Sequence, residues 1–130
     1  MKVIDFSGKE YNFNFKKLCK EASNPSGLHL KARALIAECF PYSEVYEEVQ
    51  LIGTKLIADF FIADLKIIVE VHGEQHYKFV KRFHKNIAGF KASQKRDKLK
   101  QEWCELNGII YIELPYDKVS NWKKILKGVQ

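Results

Sequence analysis

Residues Lys55 to His72 confine this chain more tightly than any other stretch. KLIADFFIAD and KIIVEVH are two apolar runs rich in β-branched and aromatic residues, separated by a link too short for a crossover helix. They must therefore pair as a hairpin about Ala63 and Asp64. EVYEEVQLI precedes them across a turn at Gly53 and extends the pair to a three-stranded meander. Within the last strand, alternation puts Ile67, Val69 and Val71 on one face and Ile68, Glu70 and His72 on the other, with Glu70 and His72 about 7 Å apart. The hairpin also sets Asp59, flanked on both sides by large apolar residues, roughly across from Glu70.

The remaining elements follow from periodicity and punctuation. Lys2–Phe6 and Lys9–Phe15 read as two short strands around SGK. SNPSG, with Ser26 or Asn24 as cap, opens a helix from Leu28 to Phe40 that Pro41 ends. NIAGFKASQKRDKLKQEWCELNG predicts a long helix closed by Asn107 and Gly108. IIYIEL adds a strand and VSNWKKILKGV a short last helix. The expected fold class is α/β (α+β), a restriction-endonuclease-like mixed β-sheet flanked by helices with an N-terminal hairpin. All 130 residues are expected in one domain: residues 1–27 hairpin and linker, 28–116 core, 117–130 last helix. The aromatics Phe60, Phe61, Trp103, Tyr111 and Trp122 are assigned to the core.

Cys19, Cys39 and Cys104 are odd in number and widely spaced, which suggests neither a disulfide framework nor a zinc knuckle and fits a reducing, cytoplasmic compartment. No signal peptide or membrane span is expected, because no long apolar run occurs. The net charge is +6, but its placement says more. Between Lys78 and Lys100 nine basic residues face one acid, Asp97, giving this segment +8 and leaving −2 for the rest. Interleaved with Phe79, Phe83 and Phe90, such a stripe suits a nucleic-acid backbone, where each phosphate contact releases counterions; a solvated helical face is the plainer alternative.

Two carboxylates converging at the end of a sheet repel one another, and a divalent cation bound through oxygen is the usual reason that a fold tolerates them. Asp59 and Glu70 thus predict Mg²⁺, with Mn²⁺ as a substitute. ADFFI followed by IIVEVHGEQH resembles the sheet core of PD-(D/E)XK nucleases, with His72 standing where that family has lysine. The histidine points to the very-short-patch-repair-like branch, including the EDxHD homing endonucleases of phages, similar in carrying an aspartate, a histidine-glycine, a second histidine and an aspartate on a basic helix. Here those positions are Asp59, His72 with Gly73, His76, and Asp97. The resemblance covers roughly residues 28–116.

The resemblance implies a metal-dependent DNA endonuclease of a cell or phage-infected host, of homing or nicking type. Asp59 and Glu70 would hold the ion, with the Val71 carbonyl as a third ligand. His72 would position or deprotonate water, and His76, held by Asp97, would stabilise the leaving oxygen. Gln75 either orients a water or lies on the surface, and His72 and His76 also read as structural histidines. Lys78, Lys81, Arg82, His84, Lys85, Lys91, Lys95, Arg96 and Lys98 would hold the DNA backbone. The family often places a glutamate on its first helix; here that helix offers Glu38 near its end, with Arg33 nearer the expected place, and Glu47 or Glu48 as substitutes. His29, at the helix start, is a weaker phosphate contact, and Glu113 reads as a surface acid. Partners are double-stranded DNA and, for a long site, a second copy of the chain. A catalytically silent nucleic-acid-binding module and a structure-selective resolvase or repair nuclease are the alternatives.

Overall fold

The computed structural model describes residues Met1–Val129. Strands β1 (Lys2–Ile4) and β2 (Glu10–Asn12) form an antiparallel hairpin. The short helix α1 (Phe15–Leu18) follows, then α2 (Gly27–Cys39), β3 (Val45–Gln50), β4 (Ile57–Ile62) and β5 (Ile67–His72). After β5 come a 3-10 turn at Glu74–His76, α3 (Lys81–His84), α4 (Ile87–Leu106), β6 (Ile110–Pro115) and α5 (Trp122–Lys127).

The second sheet has the order β3-β4-β5-β6. Its first three strands are the antiparallel meander, with Phe60 opposite Val69, while β6 returns parallel to β5 after the α4 crossover. A parallel neighbour needs such a crossover, and the 20 residues of α4 supply it. The mixed α+β class and the flanking helices agree with expectation.

Both faces of the sheet are buried, because alternation along β4 and β5 supplies large apolar side chains to each. Phe60, Ile62, Ile67 and Val69 pack with Ala32 and Ile36 of α2 and with Trp122 and Leu126 of α5. Phe61, Ile68 and Ala58 pack on the other side with Trp103 and Cys104 of α4 and with Val3 and Phe13 of the N-terminal region. Burying one such side chain contributes about 1.5–3 kcal/mol. This central layer fixes where the polar ends of β4 and β5 project.

Local signals act as the residue types dictate. Ser26 accepts from the His29 N–H and caps α2, and Asn86 accepts from the Gly89 N–H and caps α4. Gly108 ends α4 at φ +64, the left-handed region where a side chain is penalised. Gly53 turns the β3–β4 connection at φ +85, and a Cβ there would stand 2.6 Å from Asp5 Cβ. Asn107 ties the N-terminal hairpin to the end of α4: its Oδ1 accepts from the Ile4 N–H at 2.7 Å and its Nδ2 donates to the Ile4 carbonyl at 3.0 Å. No described helix is long and apolar enough to cross a membrane.

Candidate active site

Asp59 ends up beside Glu70 for a reason visible in the register. Phe60 pairs with Val69, so the preceding residue of β4 comes level with the following residue of β5. Side-chain contacts lock this arrangement. The Val71 N–H donates to Asp59 Oδ2 at 2.8 Å and the Asp59 N–H donates to Glu70 Oε2 at 3.2 Å. Glu70 is 2% exposed, so its carboxylate lies in a medium that opposes charge. Burial first, and the Asp59 charge second, push its pKa well above the ordinary carboxylate range.

Lys100 answers that burden. It projects from α4 so that Nζ stands 2.7 Å from Glu70 Oε1. Burial disfavours the ammonium, but Glu70 and then Asp59 outweigh it and hold Lys100 above the usual lysine value. Glu70 Oε1 thus has the ammonium as its partner, while Oε2 accepts from the Asp59 N–H.

Asp59, Glu70 and Lys100 line one cleft together with Val71, Gln75 and His76. The cleft reaches across to Ser26 and His29 at the start of α2. Gly73 underlies it: a Cβ there would meet Gln75 Oε1 at 2.5 Å, so the bare glycine lets the Gln75 side chain fold back over the turn.

A second group sits beside this cleft. Asp97 lies one turn before Lys100 on α4, and its Oδ2 is 2.7 Å from His76 Nδ1. Burial works against the Asp97 charge, but the hydrogen bond and charge of His76 prevail and hold the carboxyl below its usual range. The His72 ring lies against that of His76, with Nδ1 2.7 Å from Glu113 Oε1 and Nε2 3.2 Å from the Tyr111 hydroxyl. Burial, then the neighbouring His76, lowers the His72 pKa. Glu113 also accepts from the Tyr77 hydroxyl. Burial and then Glu113 raise the Tyr77 pKa, and burial and then the Glu70 charge raise that of Tyr111.

The structure thus brings together Asp59, Glu70, Val71, Gln75 and His76, and pairs His76 with Asp97 as expected. His72 differs. Its alternation is as expected, but its side chain is 4% exposed and engaged by Glu113 and Tyr111, and it does not line the Asp59 cleft. Glu113 is no plain surface acid, since it holds both His72 and Tyr77.

Three further assignments are corrected. His84 is buried rather than displayed to a ligand: Nδ1 accepts from the Val80 N–H at 3.0 Å and the ring packs between Phe79 and Phe90. Glu38 points away from the cleft and pairs with Lys123 at 2.8 Å, because its position late in α2 faces α5. Arg33 instead binds Glu47 at 2.9 Å. Lys78, Lys81, Arg82, Lys85, Lys91, Lys95, Arg96 and Lys98 are all exposed.

Sequence reasoning missed the role of Lys100 and gave Glu48 only as a substitute for the first-helix acid. Lys100 was counted only as part of the basic stripe, although its i,i+3 spacing from Asp97 puts the two on neighbouring positions of one helix surface. Glu48 stands on β3 at φ +48, and its candidate ligand atom lies within 4.8 Å of those of His29 and Asp59. Burial, then the Asp59 charge, raises the Glu48 pKa. The adjacent acids Glu47 and Glu48 in an otherwise apolar strand were the available signal.

The chain is similar to three viral proteins. It is 47% identical over 58 residues to protein 307L of Invertebrate iridescent virus 6, covering 45% of this chain and 29% of that protein. It is 41% identical over 64 residues to protein 033L of Invertebrate iridescent virus 3, covering 49% and 33%. To protein 094L of Frog virus 3 it is 37% identical over 65 residues, covering 49% and 42%. All three are named as uncharacterized proteins, and the matches span less than half the length of each. No family model and no solved structure matches the chain.

Proposed function

We propose that the protein is a metal-dependent phosphodiester hydrolase acting on DNA, with Asp59, Glu70 and Lys100 at its centre. The observation that carries this reading is the buried Glu70, ion-paired to Lys100 at the wall of an open cleft and crowded by the half-buried Asp59. Such a pair is a poor device for stability, since the desolvation of both partners offsets their attraction. It is a good device for holding a cation and a phosphate side by side.

The residues fit a hard divalent ion. Asp59 and Glu70 offer adjacent carboxylates on the wall of one cleft, the oxygen chemistry that such an ion takes. When bound, such an ion polarises a phosphate and lowers the pKa of water. Lys100, kept protonated, donates to a phosphate oxygen or fixes the attacking water; it takes the place that the resemblance gives to His72. The ionised Asp97 accepts from His76 Nδ1–H, leaving Nε2 with a lone pair to take a proton from water. His72, stacked beneath His76, holds that ring in place. The exposed lysines and arginines between Lys78 and Lys98 bind the backbone of the duplex.

Supercoiled plasmid tests the reading. Relaxation or linearisation in Mg²⁺ or Mn²⁺, lost in EDTA and in Asp59→Ala, is the expected result. Cleavage by Asp59→Ala at the wild-type rate contradicts it.

A further inference from the structure

Asp59 takes part in a second cluster, with His29 and Glu48. Their candidate ligand atoms all lie within 4.8 Å of one another, although they come from α2, β3 and β4. His29 borders two clefts, one containing Asp59 and Glu70 and the other containing Glu48 and Lys20.

Three observations mark this cluster as built for an ion. First, His29 is 6% exposed and stacks on Phe60 at 4.5 Å, so its ring orientation is fixed. Second, its Nε2 lies 2.6 Å from Glu47 Oε1, the oxygen that also accepts from Arg33 at 2.9 Å. Burial opposes the Glu47 charge, but Arg33 and His29 keep that carboxyl below its ordinary range. An ionised carboxylate only accepts, so Nε2 carries a proton; in the neutral ring Nδ1 then holds a lone pair, and no hydrogen bond reaches it among the described residues. A carboxylate that holds the far nitrogen is the usual companion of a metal-binding imidazole. Third, alternation along a strand should send Glu47 and Glu48 to opposite faces, yet Glu48 drops out of the ladder between the pairs Glu47–Phe60 and Val49–Ala58. Its φ of +48 is strained for a glutamate. It brings a second carboxylate beside His29, and Glu48 has no hydrogen-bond or ion-pair partner of its own among the described residues.

We propose that His29 Nδ1, Glu48 and Asp59 form a second divalent-cation site, distinct from the Asp59–Glu70 pair but sharing Asp59, and favouring a first-row transition ion such as Zn²⁺ or Fe²⁺ over Mg²⁺. Imidazole suits such ions, whereas Mg²⁺ and Ca²⁺, and to a lesser degree Mn²⁺, prefer oxygen ligands. The site deepens the hydrolase reading but does not require that DNA be cleaved.

Mn²⁺ at saturating concentration is the probe, because it is paramagnetic and reports an imidazole nitrogen in its shell. In the full chain, Mn²⁺ titration followed by electron paramagnetic resonance is expected to count about two bound ions, one of them showing nitrogen hyperfine coupling in the pulsed experiment. His29→Gln should lose the coupling and about one ion, and Glu48→Gln should lose about one ion with His29 intact. Glu70→Gln should keep the nitrogen-coupled ion. Absence of the coupling in the wild type, or its survival in His29→Gln, overturns the proposal; should His29→Gln fail to fold, an unchanged ion count in Glu48→Gln overturns it. Plasmid cleavage without a nitrogen-coupled ion removes this site and leaves the hydrolase reading. A nitrogen-coupled ion without cleavage does the reverse.

Discussion

The imidazoles of His72 and His76 lie face to face, with ring centroids 4.2 Å apart and planes 3° from parallel. Each has Nδ1 against a carboxylate, Glu113 for His72 and Asp97 for His76. Two protonated rings in this position would repel, and the buried one is the ring held neutral.

That relationship sets a pH dependence. The His72 pKa is lowered from 6.5, so the folded state resists a proton that the unfolded chain accepts. Its contribution to stability is fully present above the unfolded value and is lost as pH falls below it. Thermal unfolding of the wild type should therefore lose more stability between pH 7 and pH 5 than that of His72→Asn. Identical pH slopes would show that His72 is not held neutral.

Lys100→Met should destabilise the fold by about 3 kcal/mol at pH 8, since it leaves a buried carboxylate without its partner. The Glu70 pKa is already raised above 4.5, so the group is comfortable protonated: its contribution is present below the unfolded value and lost as pH rises through the folded one. The cost of the substitution should accordingly shrink toward pH 5. Denaturant unfolding at both pH values checks this, and a cost that grows with acidity would refute it.

Asp59→Asn should abolish cleavage and yet stabilise the protein, by about 1 kcal/mol at pH 8. The amide oxygen can still accept from the Val71 N–H, while repulsion from Glu70 and Glu48 disappears. The gain should diminish at pH 5, where those two carboxyls take up protons. A destabilised Asp59→Asn would mean that the carboxylate is structural.

Lys91, Lys95 and Lys98 are exposed and follow one another at helical spacing on α4. If each touches a phosphate, replacing any one by Ala should reduce the slope of log K against log salt by about 0.9. An unchanged slope would return these residues to the solvated-face reading.

Much of this arrangement was legible in the chain. The meander follows from two apolar runs joined by a short link, and the opposition of Asp59 and Glu70 follows from that hairpin. The capping of α2 by Ser26 and the stop at Gly108 follow from local rules. What escaped notice depends on tertiary placement. Whether His72 faces the cleft or Glu113 depends on how β6 lies beside β5, and a strand pattern does not contain that information. His84 sits in a basic run yet packs between Phe79 and Phe90, because a one-turn helix there folds back on itself. Glu48 escapes the alternation rule through a single backbone angle, which no residue pattern announces.

Lys100 is the residue on which cleavage is expected to depend most. Single-turnover cleavage of a labelled duplex in Mg²⁺ should be slowed by about 100-fold or more in Lys100→Ala, and far less in His72→Asn. Full activity in Lys100→Ala, with activity lost in His72→Asn, would contradict the assignment and return the catalytic role to the β5 histidine.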